Sequence, residues 1–208
     1  MWIVAGPNGS GKSSLYNRSD IEGWGGSVWI INPDLLTAKI VEQESLELNS
    51  ANLAAVQRIE NWLTASIDAY QTVGVETVLS SPKYQKLVTR AKKAGFDVRM
   101  IYVVLRTSEL QIDRIKIRVS EGGHDVPAQK IIDRRLRSFE QFAWFVERVD
   151  SCYVYDNSDG VPSLLAEKMG PALYCWQALP KDMAEILKAA NVFIFKYNDL
   201  KISGDDVI

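Results

Sequence analysis

The chain has 208 residues, a formal net charge of −2, 47% hydrophobic residues and 24% charged residues. That balance excludes a disordered, collagenous or coiled-coil chain. It is enough for one domain, with at most a small appendage, to bury a sizeable core without disulfide staples.

The first 160 residues read as strands alternating with helices. Trp2–Ala5 is a short β-type run, and Val28–Ile31 is another, rich in β-branched and aromatic residues. Asn52–Thr72 carries Leu53, Val56, Ile59, Leu63, Ile67 and Tyr70 mostly three or four apart, which is one helix face. Val73–Leu79 is a strand. Ser81-Pro82 starts a helix that Gly95 stops. Asp97–Leu105 is the most apolar strand and is expected at the sheet centre, buried on both faces. Thr107–Glu121 is helical up to Gly122-Gly123, and Pro127–Val149 is a second long helix with a Phe139, Phe142, Phe145 stripe. Ser151–Tyr155 is a fifth strand. The alternation implies an α/β fold with a five-stranded, mainly parallel sheet flanked by helices. After Gly170 the pattern weakens. Ala172–Trp176 and Val192–Phe195 read as strands around a short helix from about Lys181, an added edge hairpin or an oligomerisation element. The expected division is a catalytic domain over 1–170, with a lid over about 107–149, and a C-terminal extension over 171–208.

The longest uncharged apolar run, Met100–Leu105, falls far short of the roughly 20 residues a membrane-spanning helix needs. Met1–Ala5 runs straight into Gly6-Pro7, so no secretory leader is expected and a cytoplasmic location is. Cys152 and Cys175 have no metal-type spacing, and His124 is the only histidine, which argues against zinc. No continuous basic stripe offers a groove for nucleic acid.

Gly6-Pro7-Asn8-Gly9-Ser10-Gly11-Lys12-Ser13 fits G-x-x-x-x-G-K-[ST] in full, between a β-type run and the helix-compatible Ser14-Leu15-Tyr16. Its glycines let backbone N–H groups converge on a polyphosphate, helped by the positive end of the following helix. Lys12 is placed to bridge the β- and γ-phosphates of ATP, and the Ser13 hydroxyl to coordinate Mg²⁺. N-K-x-D, the guanine-reading mark of a signalling GTPase, is not present. Size and layout instead suit a phosphate-loop kinase acting on a small molecule. A nucleotide-gated interaction module that transfers no phosphate is the alternative.

Such a kinase needs a proton acceptor, a metal-ordering group and arginines around the transferring phosphoryl. Asp34, after Ile30-Ile31-Asn32-Pro33, stands at the carboxyl end of a strand, where ligands sit in parallel sheets. It is either the base or a turn or helix-capping aspartate. Glu76-Thr77 interrupts an apolar strand, and a buried glutamate needs partners that a metal or substrate hydroxyls supply; a solvent-facing strand edge is the other reading. Arg114, Arg118, Arg134, Arg135 and Arg137 lie on two helices joined by the Gly122–Pro127 hinge, as in a lid closing over phosphates. Two or three of the five are expected to touch phosphate, the rest being solvated. His124 is a loop residue with a substrate or phosphate contact as its second reading. Asp156-Asn157-Ser158 closes the fifth strand, either lining the adenine pocket or forming an Asx turn.

With these segments assembled, the chain resembles the zeta-toxin family of phosphate-loop kinases. The matching stretches are GPNGSGKSSL (Gly6–Leu15), INPD (Ile31–Asp34), ETVLSS (Glu76–Ser81), the RIKIRVSEGGHDVP run (Arg114–Pro127), RRLRS (Arg134–Ser138) and YDNS (Tyr155–Ser158). They span about residues 1–160, and the GGHDVP loop followed by RRLRS is far more specific than the phosphate loop alone. The resemblance implies ATP- or GTP-dependent phosphorylation of a UDP-activated amino sugar at its 3′-hydroxyl, and an antitoxin as partner. It implies Lys12 and Ser13 on phosphate and Mg²⁺, Asp34 as base, Glu76 in the sugar site, and Arg118 and Arg137 as lid arginines. The chain is shorter than the large toxins, and His124 stands where they carry an arginine before the proline.

Overall fold

The computed structural model describes residues 1–18, 28–122 and 126–197. In chain order the elements are β1 (Trp2–Ala5), α1 (Lys12–Arg18), β2 (Ile30–Ile31), α2 (Pro33–Glu44), α3 (Leu48–Asp68), β3 (Gly74–Thr77), a 3₁₀ turn (Pro82–Tyr84), α4 (Gln85–Lys93), β4 (Arg99–Val104), α5 (Ser108–Ser120), α6 (Ala128–Arg148), β5 (Ser151–Asp156), β6 (Ser163–Met169), β7 (Ala172–Cys175), α7 (Lys181–Ala189) and β8 (Ile194–Lys196). All strands among the described residues join one sheet in the order β2-β3-β1-β4-β5-β6-β7-β8. The first five are mutually parallel, as the strand–helix alternation predicts.

The expectation of five strands is corrected to eight. β6 runs antiparallel to β5 and returns through Gly170-Pro171 into β7; Gly170, at φ 59°, supplies the left-handed position that so tight a hairpin needs. β7 and β8 are parallel and joined by α7, so the tail strands form a crossover unit that widens the sheet, in place of an edge hairpin.

Alternation along the central strands decides which face each side chain serves. Ile3 and Ala5 of β1 and Met100, Tyr102 and Val104 of β4 enter the larger core, under apolar faces of α3, α4, α6 and α7. Trp2, Ile101 and Val103 point the other way and pack with Leu15 of α1. The Phe139, Phe142, Phe145 stripe of α6 is fully buried, with Tyr102 and Phe142 ring centroids 4.4 Å apart. The Tyr102 hydroxyl meets Ser138 Oγ at 2.6 Å, so this core tyrosine keeps a polar partner.

Arg135, one of the five candidate phosphate arginines, is 1% exposed and structural. Its Nε and Nη2 donate to the two carboxylate oxygens of Asp182 on α7 at 2.6 and 3.0 Å, and Nη1 donates to the Leu105 carbonyl at 3.0 Å. The guanidinium thus ties α6 to α7 and to the end of β4. Removing one partner of a buried pair strands the other charge, which typically costs 3–5 kcal/mol. The Asp182 side chain is 33% exposed, so water screens part of that loss. Asp182→Ala is expected to lower stability by about 2 kcal/mol, and Tm by about 4–8 °C. A melt superimposable on the parent's would show that the pair adds nothing.

Candidate functional site

The phosphate loop springs from the end of β1 and closes on β4 and β5. Gly6, at φ 143°, lies so close to β4 that a Cβ there would meet the Val103 carbonyl oxygen at 2.1 Å. A Cβ on Gly11, at φ 89°, would meet Asn157 Nδ2 at 2.2 Å. Both positions demand glycine for close approach as well as for backbone angle. Asn157 Nδ2 donates to the Ser10 carbonyl at 2.9 Å, so the YDNS segment buttresses the loop from behind.

Lys12 is 7% exposed and folds back along the loop, its ammonium donating to the Gly6 and Pro7 carbonyls at 2.9 and 3.3 Å. Burial pushes its pKa down; the carboxylates of Glu76 and Asp34 oppose that shift, and Arg118 adds to it. Ser13 Oγ donates to Glu76 Oε2 at 2.9 Å, and Glu76 Oε1 lies 4.0 Å from the Lys12 ammonium. Glu76, on β3 beside β1, therefore faces the loop and is 9% exposed, and the solvent-edge reading falls.

Asn32 completes this cluster. Its Nδ2 donates to Glu76 Oε2 at 3.0 Å, while its Oδ1 accepts from the backbone N–H groups of Asp34 and Leu35 at 2.9 and 3.2 Å. Asn32 is thus the N-cap of α2, with Pro33 at the first helical position. Asp34 is freed from capping, and its exposed carboxylate borders the cavity in front of the loop.

That cavity has a volume of 620 Å³. The loop contributes Asn8, Gly9, Gly11, Lys12, Ser13 and Ser14. Asp34, Glu76 and Thr77 face them across it, and Arg118 and Asn157 border it on the α5 and β5 sides. Gly6, Pro7 and Ser10 lie behind the lining as the loop's backing. Thr77 Oγ1 accepts from the Leu79 N–H at 3.0 Å, which fixes the turn after β3. Arg137 is exposed and stands outside the cavity wall. His124 lies outside the described residues. Arg114 borders the cavity, yet its Nη2 donates to the Asn157 and Ser158 carbonyls at 2.5 and 3.0 Å, pinning α5 to the loop after β5. Sequence reasoning missed Asn32 and also Lys83 and Tyr84, which complete the wall. The Asn-Pro pair at the start of α2 carried a cap signal; Lys83 carried none.

The residues present fit a nucleotide polyphosphate with its divalent cation. Ser10 Oγ is a buried hydroxyl without a hydrogen-bond partner among the described residues, beside the glycine cradle, and it can donate to a phosphate oxygen. Ser13 and Glu76 offer adjacent oxygens of the kind Mg²⁺ prefers. Among the described residues no cluster of three or more histidine, cysteine or acidic side chains suits a transition metal, and no helix is long and apolar enough to cross a membrane.

The AAA_33 family, described as an AAA domain, matches residues 1–142. The chain belongs to this family. The matched stretch of the AAA_33 domain holds the phosphate loop, Asn32, Asp34, Glu76, Arg114, Arg118, Arg134, Arg135 and Arg137. An uncharacterized protein of Haemophilus influenzae is 28% identical over 144 residues, covering 65% of this chain and 96% of that one. Solved structures share the fold at lower identity. A chain of the AvrRxo1-ORF1:-ORF2 complex, crystallised with ATP, is 15% identical with a TM-score of 0.62 over 92% of the AAA_33 chain. This chain spans only 63% of that one's length. A chain of the PezAT chromosomal toxin–antitoxin system of Streptococcus pneumoniae is 16% identical with a TM-score of 0.60, covering 92% of this chain and 84% of its own. The family match and the shared fold of these structures bear out the expected α/β phosphate-loop fold.

Proposed function

We propose that this AAA_33 domain is an ATP-dependent kinase that phosphorylates a hydroxyl of a small molecule, with a nucleotide-activated sugar such as UDP-N-acetylglucosamine as acceptor. The observation that carries the reading is the chain of contacts Lys12, Glu76, Ser13, Asn32, which sets a phosphate loop and the exposed carboxylate of Asp34 on one cavity. A pure binding module has no need of a carboxylate that is unpaired among the described residues beside its phosphate site.

Bound Mg·ATP supplies the transferable phosphoryl group, with Mg²⁺ spreading its charge. Ser13 and Glu76 would hold the metal, and Asn32 keeps Glu76 turned toward the loop. The Lys12 ammonium exchanges its carbonyl partners for phosphate oxygens. Asp34 orients the acceptor hydroxyl and takes its proton. Arg118 reaches over the cavity from α5 to balance charge that builds in the transition state. Toxin–antitoxin neighbours support an antitoxin protein as a partner.

The test is the fate of the γ-phosphate. Incubating the protein with γ-labelled ATP, Mg²⁺ and a metabolite extract is expected to label a small molecule. Slow release of free phosphate with no labelled metabolite would overturn the kinase reading in favour of a nucleotide-gated module. The arginines offer a second check. Arg118→Ala is expected to lower kcat by about 10–100-fold with little change in ATP affinity, as a clamp used mainly in the transition state does. Arg137→Ala, outside the cavity wall, is expected to stay within about twofold of the parent. The reverse order would move the clamp from α5 to α6.

A further inference from the structure

A second concavity, 810 Å³ in volume, opens between α3 and α4. Lys83, Lys86, Arg90 and Lys93 line it, against Glu60 as the one carboxylate among the described residues on its wall. Arg90 is neutralised by Asp68, to which its Nη2 donates at 2.6 and 2.7 Å. Lys83, Lys86 and Lys93 form no ion pair among the described residues. A cluster of cations in a hollow, on a chain whose net charge is −2, focuses positive potential there.

Lys83 also borders the nucleotide cavity, so the two hollows meet at one residue. Its ammonium lies 4.9 Å from the Tyr84 ring centroid, and burial lowers its pKa against the pull of Glu60. That side chain is the wall between the site of chemistry and the basic groove. The groove is a single hollow one helix long, too short to track a nucleic-acid backbone.

We propose that the α3–α4 groove is an anion subsite that holds a phosphate group of the acceptor, gripped by Lys83, Lys86 and Lys93, while the acceptor's hydroxyl end lies at Asp34. The proposal rests on the kinase reading for the word acceptor, but the anion site stands or falls by binding alone. The acceptor is then bipolar, with a hydroxyl at one end and phosphate at the other, and Lys83 spans the junction.

The experiment uses the full chain with its phosphate loop saturated by a non-hydrolysable ATP analogue and Mg²⁺. Inorganic pyrophosphate is titrated in by calorimetry, with UMP and a sugar 1-phosphate as further arms. One additional site is expected, weakening as salt rises. Lys86→Glu with Lys93→Glu is expected to weaken that site by about tenfold or more. The same double variant is expected to keep the parent's affinity for the ATP analogue, which certifies its fold, and it also reports any heat from metal chelation. Tighter binding of UMP than of the sugar 1-phosphate identifies a nucleotide end of the acceptor in the groove; the opposite order identifies a phosphosugar end. Absence of a second site, or equal pyrophosphate affinity in parent and variant, would overturn the proposal. Failure of the kinase reading looks different: phosphate transfer to any metabolite is then missing while pyrophosphate binding persists.

Discussion

Asp34→Asn is expected to lower phosphate transfer by about 10²–10⁴-fold, the range that general-base catalysis supplies. The substitution keeps the side chain's shape and removes its charge. The cap of α2 is Asn32, so the helix start survives. What is lost in the folded state is one acidic group in the first turn of α2, a favourable dipole contact of about 0.3–1 kcal/mol, or about 1–3 °C in Tm. Affinity for ATP holds or rises, because one negative charge near the polyphosphate is gone. Turnover and melting temperature on this one variant separate the roles. A smaller loss in turnover would show that Asp34 orients the hydroxyl more than it takes the proton, as a loose phosphoryl transition state permits. A fully active, stable variant would remove Asp34 from the chemistry.

Lys12→Ala is expected to cost about two orders of magnitude or more in transfer, by removing the cation nearest the cradle. Stability follows a different logic. The ammonium is 7% exposed and its strongest influence is the cost of burial, so deletion relieves desolvation while giving up two bonds to loop carbonyls. Glu76 keeps Ser13 and Asn32 as donors. The melting temperature therefore stays near the parent's even as single-turnover transfer of label collapses. Turnover close to the parent's would refute the phosphate-loop mechanism.

Much of this architecture was legible in the sequence because the relevant signals are local. The phosphate loop is a fixed spacing, and β1, β3, β4 and β5 are short apolar runs set off by helices. The helix α2 was missed because only Thr37 and Ile40 are buried along it, leaving no apolar stripe to find. The strand β6 was missed because Glu167 and Lys168 break its pattern. Arg135 shows why arginine roles resist sequence reading. Nothing local distinguishes it from Arg134 or Arg137, and its partner Asp182 lies 47 residues away in a helix past the family match. Glu76 was the opposite case: a charge inside an apolar strand announced its need for partners, and Ser13 and Asn32 supply them.

The position of β1 has a consequence for the protein as it is made. The phosphate loop precedes β3, β4 and β5 in the chain, yet β1 has β3 on one side and β4 on the other. Gly6 packs on the Val103 carbonyl, and Asn157 braces the loop from behind. During synthesis the nascent loop has neither floor nor brace until Val103 and then Asn157 have emerged. A nucleotide site built on this loop is thus completed only after Asn157 has been made, although its motif is translated well before the residues that hold it. An incomplete chain released early carries the signature of an ATP site without the means to form one.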